Sequence, residues 1–283
     1  TQDVSIVPAT TLNVGNYKVI VTDSLGCKDS LTIAATNKPN AGADQNACAG
    51  GVANIAGTAP TTGTWAAQSG NPAGATLAPL GGGTASVTFT NGASGTYRYI
   101  YSTTSCSDTM SIVVTARPTV SLSASSACIG GSITLNSSSA GTWVSNNPSV
   151  ATVSGSTVTA AGQGTATFTF TDSATGCQAT TSPLTVNPRP TVAVAGTAAV
   201  CIGSTTTLTP STGGTWASSS NAIATVTNAG VVTGVASGTA KFAFTETSTG
   251  CLSDSISVMV TPKPTVSILG SDSICVLTTT TLS

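Results

Sequence analysis

The side chains whose type and spacing best suit chemistry are thiols. Eight cysteines alternate between two contexts: one near the start of a repeated unit, and one in a Gly/Ser-Cys turn just before that unit's last strand. A zinc site is excluded by the absence of Cys-x-x-Cys spacing and of any histidine. An even, regular set of cysteines in a repeat points instead to structural disulfides, and so to an oxidising, extracellular setting. The residues leave two pairings open. One bridges within units, Cys48 to Cys106, Cys128 to Cys177 and Cys201 to Cys251, with Cys27 and Cys275 pairing outside this chain. The other joins neighbours across junctions, Cys27–Cys48, Cys106–Cys128, Cys177–Cys201 and Cys251–Cys275. Each bridge would contribute about 2–4 kcal/mol.

Other chemistry finds little to work with. There is no histidine, Glu246 is the one glutamate, and no two carboxylates are placed for acid–base work. A serine nucleophile would have no base, so the chain is expected not to be an enzyme and to need no cofactor or metal. One motif recurs: six aspartates precede a Ser or Thr and then Ala, Leu, Ile or Met, which marks the hydroxyls of Ser24, Ser30, Thr109, Ser173, Ser255 and Ser273. Asp-Ser pairs form Asx turns, and repetition multiplies a single ancestral turn.

Charge narrows the partners. Charged residues make up 6% of the chain and the net charge is -1, so there is no basic stripe for nucleic acid. No apolar run reaches the 18 or so residues of a spanning helix, so no membrane insertion is expected. Hydrophobicity is too high, and net charge too low, for a disordered chain.

The elements that position the thiols are strands. Short alternating runs such as TVSLS, SITLNS, TATFTFT and PLTV are separated by Gly, Asn and Ser turns, and no stretch carries an apolar stripe at helical spacing. The repeat divides the chain into the end of a unit (1–37), three complete units (38–116, 117–188 and 189–262) and the start of another (263–283). About seven short strands per unit indicate all-β, Ig-like sandwiches in tandem. Each complete unit carries Gly-Thr-Trp in the same place, which assigns Trp65, Trp143 and Trp216 to the core rather than to sugar stacking. The alternating Tyr97, Tyr99 and Tyr101 share one sheet face, again a core face. Four of the eight basic residues, Lys38, Arg117, Arg189 and Lys263, immediately precede a junction proline. Proline stiffens such a junction, so three domains of about 25–35 Å would form an elongated rod on the order of 100 Å.

The runs NPSVATVSGSTVTAAGQGTATFTFT and NAIATVTNAGVVTGVASGTAKFAFT resemble the group 2 bacterial Ig-like pattern. The unit at 38–116 is similar to PKD-like repeats of Bacteroidota surface proteins, and GNYKVIVTDSLGCKDSLTI resembles the end of a repeat in gliding-motility adhesins of the SprB type. The resemblance implies within-unit disulfides. It also implies a stalk or filament segment of a large secreted adhesin on the bacterial cell surface, acting in cell adhesion and gliding and exported by the type IX system. Its partners would be other domains of the same long chain, a surface polysaccharide or substratum bound by regions outside this chain, and further copies in a filament. The Asp-Ser/Thr motif resembles a Bacteroidota O-glycosylation sequon. The alternative is a carbohydrate-binding or spacer module attached to an extracellular enzyme.

Overall fold

The computed structural model describes residues 14–269 and 281–282, so Ser273 and Cys275 lie outside the described residues. Every regular element among them is a strand. The reason is visible in the side-chain alternation. In the strand Gly95–Ser102, Tyr97, Tyr99 and Tyr101 point inward while Arg98 and Ile100 face outward. In Gly238–Glu246, Ala240, Phe242 and Phe244 point inward and Lys241 outward. Each buried Phe contributes about 1.5–3 kcal/mol relative to exposure.

The first described residues form an antiparallel hairpin of β1 (Gly15–Thr22) and β2 (Lys28–Ala35). Seven strands follow: β3 (Gln45–Cys48), β4 (Val52–Ala56), β5 (Thr64–Ala67), β6 (Ala75–Gly81), β7 (Thr84–Phe89), β8 (Gly95–Ser102) and β9 (Ser107–Thr115). They make two sheets, β3-β9-β8-β5 and β4-β7-β6, enclosing one core from Ala41 to Val114. β3 runs parallel to β9, while the other pairs are antiparallel. This is the seven-strand immunoglobulin-like arrangement, with a split first strand whose second half joins the opposite sheet.

A third core, from Val200 to Val260, repeats the plan with sheets of four and four. There too the short strand Ala199–Cys201 lies parallel to the last strand, Ile256–Thr261. A middle core, from Ile133 to Val186, has the same order of strands, with its second sheet in two three-stranded pieces. The break falls between Gly164–Ala166 and Phe168–Asp172.

The chain forms two compact bodies. One comprises the residues through Thr119 together with Ser137–Thr142 and Phe170–Ala179. The other comprises Val120–Asn136, Trp143–Thr169 and the chain from Thr180 onward. The middle unit therefore lends its Cys177 turn to the first body and its Cys128 turn to the second.

Candidate functional site

Each body contains one disulfide, and each corrects both sequence expectations. Cys48 bonds Cys177 and Cys128 bonds Cys251, with Cα atoms 5.6 Å apart in both. Cys106 and Cys201 are free thiols, as is the exposed Cys27. The within-unit pairs Cys48–Cys106, Cys128–Cys177 and Cys201–Cys251 therefore do not form. The cross-junction set fails as well, because its members Cys48, Cys128, Cys177 and Cys251 are bonded elsewhere.

The reason lies in strand register. Cys48 ends β3 level with Thr115 at the far end of β9, whereas Cys106 immediately precedes the start of β9. Nine residues of extended chain separate the two levels by about 30 Å, and a disulfide needs Cα atoms within about 7 Å. Cys201 is level with Thr261 in the same way, while Cys251 lies before that strand begins. Early and late cysteines thus occupy opposite ends of a sandwich. The bond that forms joins the early cysteine of one unit to the late cysteine of the next.

The early cysteine sits in a recurrent turn. The amide of Ala49 donates to the Thr115 carbonyl (2.9 Å), that of Gly50 to Thr90 (2.9 Å) and that of Gly51 to Cys48 (3.0 Å). Ile129, Gly130 and Gly131 make the corresponding bonds to Asn187, Ala160 and Cys128. Ile202, Gly203 and Ser204 make them to Thr261, Gly234 and Cys201. The middle residue has positive φ in all three turns, +71° at Gly50, +83° at Gly130 and +82° at Gly203, which is why glycine stands there.

The late cysteine also has a built turn. The Asp172 carboxylate accepts the amides of Ala174 (3.0 Å) and Thr175 (2.8 Å) and the Thr175 hydroxyl (2.8 Å). That hydroxyl in turn accepts the Cys177 amide at 3.2 Å. Hydrogen bonds from the Ser139 hydroxyl, then from Thr175, hold the Asp172 carboxyl down at about 2. Glu246, Thr249 and Cys251 repeat the device, with the Thr249 hydroxyl 2.6 Å from the Glu246 carboxylate. Asp23 builds a simpler version around Cys27, accepting the amides of Leu25 and Cys27.

The basic residues before the junction prolines bridge these two turns. Arg117 donates through Nε to the Ala49 carbonyl (2.6 Å) and through Nη1 to the Gln178 carbonyl (3.5 Å). Arg189 donates through Nε to the Ile129 carbonyl (3.0 Å), and its Nη1 pairs with the Asp254 carboxylate (2.7 Å). Ala49 and Ile129 follow the early cysteines, while Gln178 and Asp254 lie just after the late ones. Disulfide and guanidinium therefore clasp the same two segments. Lys38 makes the second half of this contact, pairing with Asp108 at 2.8 Å.

The other sequence candidates fall as follows. Trp65 and Trp216 are buried, their indole N–H groups donating to the Gly83 and Pro210 carbonyls, and Trp143 packs partly buried against the middle core. The first two indoles lie against Tyr101 and Phe244. Tyr97, Tyr99 and Tyr101 are fully buried, so they form no exposed platform. The hydroxyls of Ser24, Ser30, Thr109, Ser173 and Ser255 belong to exposed residues. Their preceding aspartates are all engaged: Asp23 and Asp172 shape turns, Asp29 accepts the Ser30 amide, and Asp108 and Asp254 pair with junction bases. Turn and clasp therefore account for four of the five described aspartates of the motif, Asp23, Asp172, Asp108 and Asp254. A cavity of about 360 Å³ beside Val14, Ala59, Pro60 and Thr103 has no charged or aromatic lining.

No protein-family profile matches the chain, and no curated protein matches it. Among solved structures it is similar to invasin, described as a bacterial integrin-binding protein, at 15% identity and a TM-score of 0.36, over 91% of this chain and 66% of that one. It is also similar to the titin I67–I69 fragment (14% identity, TM-score 0.31, 81% of this chain and 100% of that one). For domains 1–6 of the surface layer protein SbsC the values are 16%, 0.24, and 90% and 46%. The immunoglobulin-like assignment rests on the strand order above.

Proposed function

We propose that this chain is a structural stalk or filament segment of a large secreted bacterial surface adhesin, in which consecutive units are clasped so that tension passes between them. The observation that carries this reading is the repeated clasp, in which a disulfide and a basic side chain join the early turn of one unit to the late turn of the next. A catalytic or ligand-binding module has no need to cross-link its neighbours, whereas a segment under load does. Disulfides of this kind persist in oxidising, extracellular settings. The resemblance to SprB-type adhesins supports gliding motility and type IX export as the setting, and polysaccharide or substratum as what the parent protein grips. Glycans on the exposed Ser24, Ser30, Thr109, Ser173 and Ser255 would add solubility to a surface this poor in charge.

The test is single-molecule pulling from the two ends of the chain, with and without reductant. The staples 48–177 and 128–251 interleave, so the shortest covalent route between the ends omits about half of the residues. At 3.6 Å per residue the full extension should be about 450 Å oxidised and about 1,000 Å reduced. Equal extension in both states would remove the mechanical basis of the reading. Mass spectrometry of native protein checks the glycans separately.

A further inference from the structure

We infer that Asn91 is a site of spontaneous modification, where cyclisation onto the Gly92 amide releases ammonia and gives the first clasp a carboxylate for Arg117. Residue order meets the first requirement. Of the chain's 14 asparagines, Asn91 alone precedes glycine, whose missing side chain lets its amide nitrogen swing onto the neighbouring amide carbon. The fold meets the second. Both residues are exposed, in the turn between β7 and β8. That turn is held at its ends, where the Thr90 amide donates to the Gly74 carbonyl (2.8 Å) and the Ala93 amide to the Thr90 carbonyl (3.0 Å). Among the described residues no main-chain carbonyl accepts the Gly92 amide, which is the attacking group.

Position gives the product a consequence. The Asn91 Oδ1 occupies the space that a Cβ on Gly50 would fill, and the Arg117 Nε lies 3.6 Å from that same point. The two groups are therefore within about 6 Å of each other, close enough for a charge on one to act on the other. In the unmodified chain Arg117 donates to the Ala49 and Gln178 carbonyls, both neutral. An acid at position 91 would supply the kind of partner that Arg189 has in Asp254.

The reaction needs no co-reactant except water. The Gly92 nitrogen bonds to the Asn91 amide carbon and gives up its proton. The bond from that carbon to Nδ2 breaks, and ammonia carries the proton away. Water then opens the succinimide at either carbonyl, leaving aspartate or isoaspartate. Both products replace a neutral amide with one negative charge.

The experiment ages the full oxidised chain in mildly alkaline buffer and follows every asparagine by peptide mass spectrometry. Conversion at Asn91 should exceed that at any other asparagine by about tenfold, and a succinimide should appear before the acid. G92A is the control. Gly92 lies outside the left-handed φ region and an added Cβ there meets nothing within 4 Å, so the turn accepts alanine. Its side chain should nonetheless slow conversion by about tenfold. Equal conversion at other asparagines, or a G92A chain that converts as fast, would overturn the cyclisation. N91D tests the consequence directly. In that background the loss of melting temperature caused by R117A should shrink as salt is added, whereas in freshly prepared chain it should stay flat. A loss independent of salt in both would overturn the pairing with Arg117. The inference stands on the clasp geometry alone, so its failure would leave the adhesin reading to be decided by the pulling experiment.

Discussion

At the first clasp Arg117 meets two main-chain carbonyls, while at the second Arg189 meets one carbonyl and the carboxylate of Asp254. The covalent part is nearly identical, with sequence separations of 129 and 123. Magnitudes show which component dominates. A disulfide closing a loop of this size restricts the unfolded chain by up to about 5 kcal/mol. An exposed ion pair contributes about 0.2–1 kcal/mol, and the Arg189 and Asp254 side chains are 46% and 87% exposed. The sulfur bond holds the two segments together. The base sets their approach, which is why its acidic partner can be exchanged for a carbonyl without loss of the clasp.

The largest break in this comparison is removal of a staple. C48S and C128S should each lose about 2–5 kcal/mol, and by nearly equal amounts, because loop entropy varies only logarithmically with length. Urea unfolding followed by tryptophan fluorescence measures both. A clear inequality would mean that one junction stores strain or compensating contacts that the other lacks.

Glycine substitution comes next and should separate the two sites. Both Gly50 and Gly130 have positive φ, so alanine costs about 1–2 kcal/mol at either. At Gly50 the added carbon would also stand 2.1 Å from Asn91 Oδ1, whereas at Gly130 it meets only the end of Arg189 at 3.2 Å. G50A should therefore be the more damaging in a thermal melt, and G130A should chiefly displace the arginine.

How far the sequence reaches is clearest at these same residues. Strand content was legible because alternation has one physical cause, a half-buried pleat, and TATFTFT and YRYIY display it without ambiguity. The register of Cys, Gly-Thr-Trp and Lys/Arg-Pro was legible because a repeat compares itself. The partner of each cysteine was not. Pairing early with late inside a unit, late with the next early, or early with the next late preserves the repeat equally well. The choice depends on which end of the sandwich each turn occupies, and that follows from β3 lying parallel to β9, a long-range pairing that no local pattern encodes. The role of Arg117 and Arg189 was hidden for the same reason. Their position before proline suggested stiffness, but their hydrogen bonds reach residues 68 and 60 positions away.

A smaller effect sharpens the contrast between carbonyl and carboxylate. R189A should lose less than about 1 kcal/mol, and its difference from the unmodified chain should shrink as sodium chloride rises, because an exposed pair is screened. R117A has no carboxylate to lose, so its cost should be nearly independent of salt. Melting temperatures of both variants from low to high salt test the distinction, and a salt-sensitive R117A would mean that its guanidinium has an acidic partner in solution.

The smallest effect is one of acidity, and it belongs to the first clasp. The Ser139 hydroxyl, and then the Thr175 hydroxyl and amide, bind the charged form of Asp172 and hold its carboxyl at about 2, below the usual value of 3.8. A depressed folded value means that the unfolded chain takes up the proton first as pH falls. The stabilisation is therefore complete above about pH 5, declines as pH drops through 4, and is gone below 2. Carboxyl-carbon NMR should show Asp172 titrating near 2, and T175A should move that midpoint upward by removing one donor. The Cys48–Cys177 bond should persist throughout, since acid does not reduce sulfur. Loosening would then appear as faster amide exchange at Ala174 and Thr175 while the staple stays closed. A midpoint near 4 would mean that these hydrogen bonds are not held in solution, and that the disulfide rather than the aspartate keeps the late turn in shape.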